Sequence, residues 1–429
     1  MLHKILYYFG VRLRSPEIIG KYKFLKASES WSLKELEKYQ LQELKRIVTK
    51  AYESSNFYKK LYDDAGIKPT DITKLEDIIK LPIVNKKDLL NNNSEIQNTK
   101  GYRKLFYSET SGSTGEPLEL YRNSAWDATA RASQLRGYSW YGVKPWDNNG
   151  YFWGFSFDIK KKIKTKVLDY LLNRFRLFSY TDDGINEFQK KLKNAVFLEG
   201  YSSMAYEVAK KINKSSNMST FNLKMVKGTS EKIHDYYQEE IIKAFGKKMI
   251  SEYGSAETGI IAFECPFGNM HVAMEGVIVE EENGEIIVTN LVSDSFPIIR
   301  YRLGDMVSLD LLKKCNCGMH HQIISEVLGR VGKVIYGKNE IYPSLTFYYI
   351  FKNMVMKHGI SLNYQAVQDE VGKLVINLEQ DLSNEIKENL LVECRNYFND
   401  DLDLIINGDN LKRNYDSKFK DFISNVKEE

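Results

Sequence analysis

No apolar run in this chain reaches the ~20 residues that a membrane-spanning helix needs. At the start, "MLHKILYYFGVRLRSPEIIGKYKF", the one short apolar stretch is broken by Arg12 and Arg14, and no small-residue cleavage site follows. That basic, aromatic opening fits a packed amphipathic helix, with a helix lying on a membrane surface as the other reading. Cysteine is scarce, four in 429 residues, which excludes a disulfide scaffold. An excess of charge of one sign is missing too. The 61 basic residues against 57 acidic ones leave +4, whereas a nucleic-acid-binding chain should carry a marked basic surplus. Internal repeats and low-complexity linkers are absent. These absences leave a protein expected in the cytoplasm, with no transmembrane segment and no nucleic-acid partner. Hydrophobic residues at 43% suffice for folding, and the length exceeds what one core serves, so two or more domains are expected.

What is present begins with helix. Residues 33–64 ("LKELEKYQLQELKRIVTKAYESSNFYKKLYDD") carry helical apolar spacing, as do "GINEFQKKLKNA" and "SSMAYEVAKKINK", where Ser202 and Ser203 suit an N-cap. Between and after them stand the β-type runs "NAVFLEG", "LKMVKGTS" and "KKMISEYGS". Strand, small-residue turn, helix is the rhythm of an α/β sheet, and ligands bind where such strands end. From residue 271 the texture becomes hairpin-like, with Asn283–Gly284 as a turn in "VAMEGVIVEEENGEIIVTN". After the glycines at 329 and 332, a helix, a hairpin, a helix and a strand predict a compact α+β unit. The expected division is a large domain over 1–330, a hinge at 331–333 and a smaller domain over 334–429.

The chemistry concentrates in a few loops. "TSGSTGEP" (residues 110–117) places Gly112 and Gly115 among hydroxyl side chains. Glycines let backbone N–H groups turn inward to form an anion-binding concavity, and hydroxyls add donors for phosphate oxygens. An ordinary surface turn has the same composition. The nucleotide P-loop pattern is not met, because Gly115 is followed by Glu116 and Pro117 instead of Lys and Ser or Thr. Further along come "KGTSEKI", "YGSAE" (Tyr253 to Glu257), "YRLGD" (Tyr301 to Asp305), "GRVGK" (Gly329 to Lys333) and "SKFKDFIS", which contains Lys418.

In this order the set resembles the adenylate-forming superfamily of acyl-CoA ligases, luciferases and peptide-synthetase adenylation domains. Within it the chain looks most like the phenylacetate–CoA ligase and CapK-like branch, and "FLEGYSS" and "SKFKDFIS" favour that branch. The resemblance implies an α/β fold: a large N-terminal domain of α/β sheets plus a small distorted β-barrel, and a smaller mobile C-terminal lid. It implies ATP-dependent activation of a carboxylic acid as acyl-adenylate with release of pyrophosphate. The acyl group then passes to coenzyme A, a carrier or an amine, in surface polysaccharide biosynthesis for the capsule-linked relatives. A non-catalytic relative that binds nucleotide or acyl-adenylate is the alternative.

By the same resemblance Ser111, Gly112, Ser113, Thr114 and Gly115 hold the ATP phosphates. Gly228, Thr229 and Ser230 line one side of the adenine, and Tyr253, with Gly254 and Ser255, supplies the other. Glu257 binds Mg²⁺, a hard cation that prefers carboxylate oxygen. Asp305 accepts the ribose hydroxyls, and Arg330 reaches ribose or phosphate. Lys418 is the catalytic ammonium and Lys333 the hinge. Departures are Leu118, where many members carry lysine, and Ala256, which removes a hydroxyl before Glu257. Trp153, Gly154, Phe155, Gly200 and Tyr201 are expected near the acid.

"CPFGNMH" and "CNCGMHH" bring together Cys265, His271, Cys315 and Cys317 as candidate ligands. Three thiolates and one imidazole satisfy a closed, structural zinc site. Two unrelated reduced cysteine sites are the other reading. Cys394, beside Leu390 and Leu391, is expected in a core.

Overall fold

The computed structural model describes residues 1–110, 117–152, 159–177, 182–214, 220–230, 233, 235–330, 334–344, 346–360, 362, 364–378, 381–411 and 422–426. The chain divides into two compact units, one built from residues within Met1–Gly329 and the other mainly from Arg330–Glu429.

In the first unit the long helical stretch starts where its capping chemistry dictates. Ser32 accepts the Glu35 N–H at 3.4 Å, and the Glu35 carboxylate takes the Ser32 N–H at 2.8 Å in return. The stretch of helical spacing over 33–64 forms two helices, Leu33–Ser54 and Asn56–Asp64. Ser55 stands between them in extended conformation, and its hydroxyl accepts the Tyr58 N–H at 3.3 Å. One serine thus ends one helix and caps the next. Leu36, Leu44, Ile47, Val48 and Ala51 form the buried stripe of the longer helix.

The dominant feature is an 11-stranded sheet. Its strand order from one edge is Val277–Glu282, Glu285–Asn290, Tyr301–Asp310, Ile323–Arg330, Met270–Val272, Gly259–Glu264, Met249–Ser255, Met225–Thr229, Phe197–Tyr201, Asn149–Phe152 and Arg174–Arg176. The last five are parallel, as strand–helix alternation requires. The strands expected of a small barrel are hydrogen-bonded into the antiparallel end of this same sheet. Asn283 and Gly284 both take positive φ, 54° and 80°, which gives the two-residue hairpin its twist.

Side chains alternate between the faces of the parallel strands. Leu198, Val226 and Met249 pack beneath the helices Asp182–Leu192, Ser202–Lys214 and Asp235–Phe245. Phe197, Met225 and Ile250 lie on the opposite face with Tyr138 of the helix Ser124–Trp140.

The second unit carries a four-stranded sheet in the order Asp403–Asn407, Lys373–Leu378, Tyr364–Gln368, Phe422–Ser424. The helices Thr346–His358 and Asn384–Phe398 contribute Phe347, Ile350, Leu390 and Phe398 to its core. Cys394 is fully buried there, as expected.

Candidate functional site

Two of the sequence motifs meet through side chains. Tyr253, on the last parallel strand, donates its hydroxyl to Asp305 Oδ2 at 2.7 Å. Four residues further on, Glu257 Oε1 accepts from the Tyr301 hydroxyl at 3.4 Å. "YGSAE" and "YRLGD" are therefore joined twice across separate strands. The tip between them is a tight turn from Met249–Ser255 into the antiparallel strand Gly259–Glu264, with no helix following Glu257. Ser255 Oγ accepts the Thr258 N–H at 3.1 Å and so fixes that turn. Gly254 is needed at its entry, because a Cβ there would meet the Gly259 carbonyl oxygen at 2.2 Å. Asp305 and Glu257 are both buried, the latter with only 2% exposure.

Gly228 has a packing role of its own. A Cβ at Gly228 would meet Ser202 Oγ at 2.4 Å and Met249 Sδ at 2.6 Å, so the missing side chain serves the packing of strand against helix. Thr229 ends that strand, and Ser230 follows with φ 68°, a left-handed conformation that non-glycine residues hold only when their surroundings fix it.

The loop of residues 111–115, Trp153, Gly154, Phe155, Lys333 and Lys418 lie outside the described residues. Arg330 is the last residue of the strand Ile323–Arg330, and its side chain is likewise outside them. The ends of the loop are described. Leu105–Glu109 and Glu119–Asn123 pair as an antiparallel hairpin. Thr110 and Leu118 then exchange hydrogen bonds, Thr110 N–H to the Leu118 carbonyl at 3.0 Å and Leu118 N–H to Thr110 Oγ1 at 2.8 Å. Leu118 is fully buried in the main core, a place suited to an apolar residue.

Beneath the strand ends lies a buried ionic cluster that motif reading did not pick out. Lys227 Nζ stands 3.2 Å from Glu199 Oε2 and 2.8 Å from Glu252 Oε2, and its side chain is 2% exposed. Arg174 reaches Glu199 Oε1 at 2.7 Å, Tyr138 donates to Glu199, and Gln134 donates to Glu252 Oε2 at 3.2 Å. Two cations face two anions, so the set is neutral. Burial opposes charging Glu199, but the Lys227 ammonium and the Arg174 guanidinium outweigh it and hold the carboxyl below its usual range. Burial equally opposes the Lys227 ammonium, and Glu252 and Glu199 together raise its pKa above the ordinary lysine value. Three of the four charged members precede a motif residue: Glu199 before Gly200, Lys227 before Gly228, Glu252 before Tyr253. The available signal was one charged residue at the same place in three successive β-type runs.

A second site is formed by Cys265, His271, Cys315 and Cys317, whose ligand atoms all lie within 4.8 Å of one another. Cys265 and His271 flank the turn between Gly259–Glu264 and Met270–Val272, and the other pair sits in the loop before Ile323. Both cysteine segments read C-x-x-G. In each the glycine takes positive φ, and its N–H returns to the cysteine carbonyl, at 2.9 Å for Gly268 and 3.1 Å for Gly318. The sulfurs of Cys265 and Cys315 are 3.6 Å apart, and Cys317 Sγ is 3.2 Å from His271 Nε2. Thiolates ~2.3 Å from a tetrahedral ion would stand about 3.8 Å apart, so the set fits zinc. His271 Nδ1 faces the His321 carbonyl at 3.4 Å, which leaves Nε2 for a metal. Burial lowers the His271 pKa to about 4, so the ring is neutral at physiological pH. Asn269 donates to Cys315 Sγ at 3.1 Å, an interaction that favours thiolate.

No protein-family model matches the chain. It is 24% identical over 363 residues to Protein CapK of Staphylococcus aureus, covering 80% of this chain and 78% of that one. It is 39% identical over 64 residues to the phenylacetate–coenzyme A ligase of Escherichia coli (strain K12), 15% of each chain. Among solved structures it resembles 2-hydroxyisobutyryl-CoA ligase in complex with 2-HIB-AMP and CoA in the thioesterification state. That match has a TM-score of 0.64 at 18% identity and covers 92% of this chain and 91% of that one. An open conformation of the same ligase gives 0.59 at 17% identity, covering 92% and 93%. The fold is therefore the one expected, a large α/β unit with a C-terminal domain.

Proposed function

We propose that this chain, an adenylate-forming protein of the CapK-like branch in sequence and fold, activates a carboxylic acid with ATP and passes the acyl group to coenzyme A or another acceptor. The observation that carries this reading is the hydrogen bond from Tyr253 to Asp305, which unites two separated motifs into one site at the end of the parallel strands. An ionised Asp305 would accept the ribose hydroxyls while the Tyr253 hydroxyl fixes its carboxylate. The Tyr253 ring would lie against the adenine, and Thr229 and Ser230 would approach from the neighbouring strand end. Ser111, Ser113 and Thr114 would hold the phosphate tail.

A carboxylate is a poor electrophile, and conversion to the mixed anhydride with AMP supplies the leaving group. Negative charge accumulates at the attacked phosphorus, so the protein must shield it and hold the two reactants in line. Lys418 and Arg330 are the cations assigned to that task. Glu257 would hold Mg²⁺, which supplies further charge screening. Lys333 would be the pivot about which the smaller unit turns between half-reactions. A place in surface polysaccharide assembly rests on the likeness to CapK alone.

An exchange screen tests the reaction. Purified protein, ATP, labelled pyrophosphate and panels of aryl, fatty, amino and uronic acids should give acid-dependent label in ATP, with AMP as the nucleotide product. ADP as the product would show phosphoryl transfer instead. Nucleotide binding without exchange for any acid would leave only the non-catalytic reading.

For the cysteine–histidine cluster we assign a structural zinc, since four protein ligands leave no open position for substrate. Elemental analysis should find about one zinc per chain. Cys315→Ser should lose it and unfold at lower temperature, because metal binding contributes to folding. Metal-free wild-type protein would refute the assignment.

A further inference from the structure

Two helices expose apolar stripes on their outer faces and carry a strongly basic composition. In Leu2–Arg14 the buried residue is Val11, while Leu2, Ile5, Phe9 and Leu13 are all exposed, Phe9 at 62% and Leu13 at 67%. At 3.6 residues per turn those four fall within an arc of about 80°, on the side opposite Val11. An ordinary amphipathic helix turns such a stripe to the protein. Here it points away, and the helix is held in that orientation. Tyr7 and Tyr8 lie against Trp146 with ring centroids 5.7 and 5.4 Å away, and Arg14 pairs with Asp127 at 3.0 Å.

The helix Ile159–Leu171 repeats the pattern. Ile163, Val167, Tyr170 and Leu171 are exposed, and its buried acid, Asp169, is paired with Arg176 at 3.0 Å. The two helices meet edge to face at His3 and Tyr170, 5.7 Å between ring centroids. Around the apolar stripes stand Arg12, Lys164 and Lys166, all exposed. Lys104 joins them, donating to the Arg14 carbonyl at 2.8 Å. Asp169 is the only acidic residue on either helix. Among the described residues no helix is long and apolar enough to cross a membrane.

From this charge complementarity we infer that the exposed apolar faces of Leu2–Arg14 and Ile159–Leu171 dock on an anionic membrane surface. The apolar side chains would enter the boundary between headgroups and acyl chains while the lysines and arginines meet lipid phosphates and carboxylates. Neither stripe requires a conformational change to present itself. The inference does not depend on the proposed ligase activity, which involves none of these residues.

Co-sedimentation of the full chain with vesicles tests it, using phosphatidylcholine alone and phosphatidylcholine mixed with phosphatidylserine. Wild-type protein should pellet with the mixed vesicles, increasingly so as salt is lowered. Ile5→Asp/Phe9→Asp should weaken that binding at least tenfold. Lys164→Glu/Lys166→Glu should weaken it severalfold without removing any apolar group. Both pairs replace exposed residues, and unchanged thermal unfolding would show that the fold persists. Equal binding to neutral vesicles, binding that neither pair weakens, or no binding at all would overturn the inference. So would a wild-type dimer that Ile5→Asp/Phe9→Asp converts to monomer with no vesicle association, which would mark the face as a contact between copies.

Discussion

Asp305→Ala is expected to lower kcat/KM for acid-dependent adenylation by about 10²-fold or more. Two hydrogen bonds from ribose hydroxyls to an ionised carboxylate contribute roughly 1.5–3 kcal/mol each, and their loss sums to that range. The substitution also leaves the Tyr253 hydroxyl without its acceptor at 2.7 Å. Tyr253→Phe makes the informative comparison. It keeps the ring proposed for the base and the carboxylate proposed for the sugar and removes the hydroxyl that donates to Asp305, so a loss of about tenfold or less is expected. Initial-rate kinetics with ATP varied at saturating acid would measure both. Activity in Asp305→Ala within a factor of a few of wild type would remove Asp305 from the proposed site, and with it the main support for the proposed nucleotide position.

The second large effect is on stability. Lys227→Met should destabilise the first unit by about 3–5 kcal/mol, the usual cost of leaving buried charges without their counter-ion. Glu199 and Glu252 both approach Lys227 Nζ, and both are buried. The pH dependence follows from the signs of the shifts. Glu199 is held below its ordinary value of 4.5, so its contribution is present above that value and is lost as pH falls through the folded-state pKa. Lys227 is raised above 10.5, so its contribution is present below 10.5 and is lost as pH rises through the folded-state pKa. The gap between wild type and variant should therefore be widest near neutrality and shrink on acidification, where protonated carboxyls no longer need the ammonium. Urea unfolding at neutral and acidic pH would measure this. Partial recovery in Lys227→Met/Glu252→Gln is expected, because the double variant removes one of the stranded charges. A loss under ~1 kcal/mol for the single variant would mean that water or rearrangement satisfies the pair.

This cluster also bears on the site. Cross-strand ion pairs at Glu199, Lys227 and Glu252 resist slippage of three parallel strands whose next residues are Gly200, Gly228 and Tyr253. Slipping one strand by one residue would move every side chain to the other face and place a charge among Leu198, Val226 and Met249. Register here is enforced by the cost of that misplacement.

Most of the elements, the order of the motifs and the four residues of the cysteine–histidine cluster were legible in the amino-acid sequence. Those depend on local chemistry: apolar period, small-residue turns, the Asn283–Gly284 hairpin and metal-loving side chains at close spacing. The sequence did not determine the break at Ser55, because helical periodicity runs straight through a residue whose hydroxyl caps the next helix. Nor could it show that Gly228 makes room for Ser202 and Met249. The Tyr253–Asp305 bond spans 52 residues and the Glu199–Lys227–Glu252 cluster draws on three strands, so both exist only once the sheet has assembled. The outward stripe of Leu2–Arg14 belongs to the same class. Its pattern is written in the chain, but only packing against Trp146 and Asp127 decides which face is left to the solvent. Local propensities act between near neighbours, and burial is a property of the whole fold.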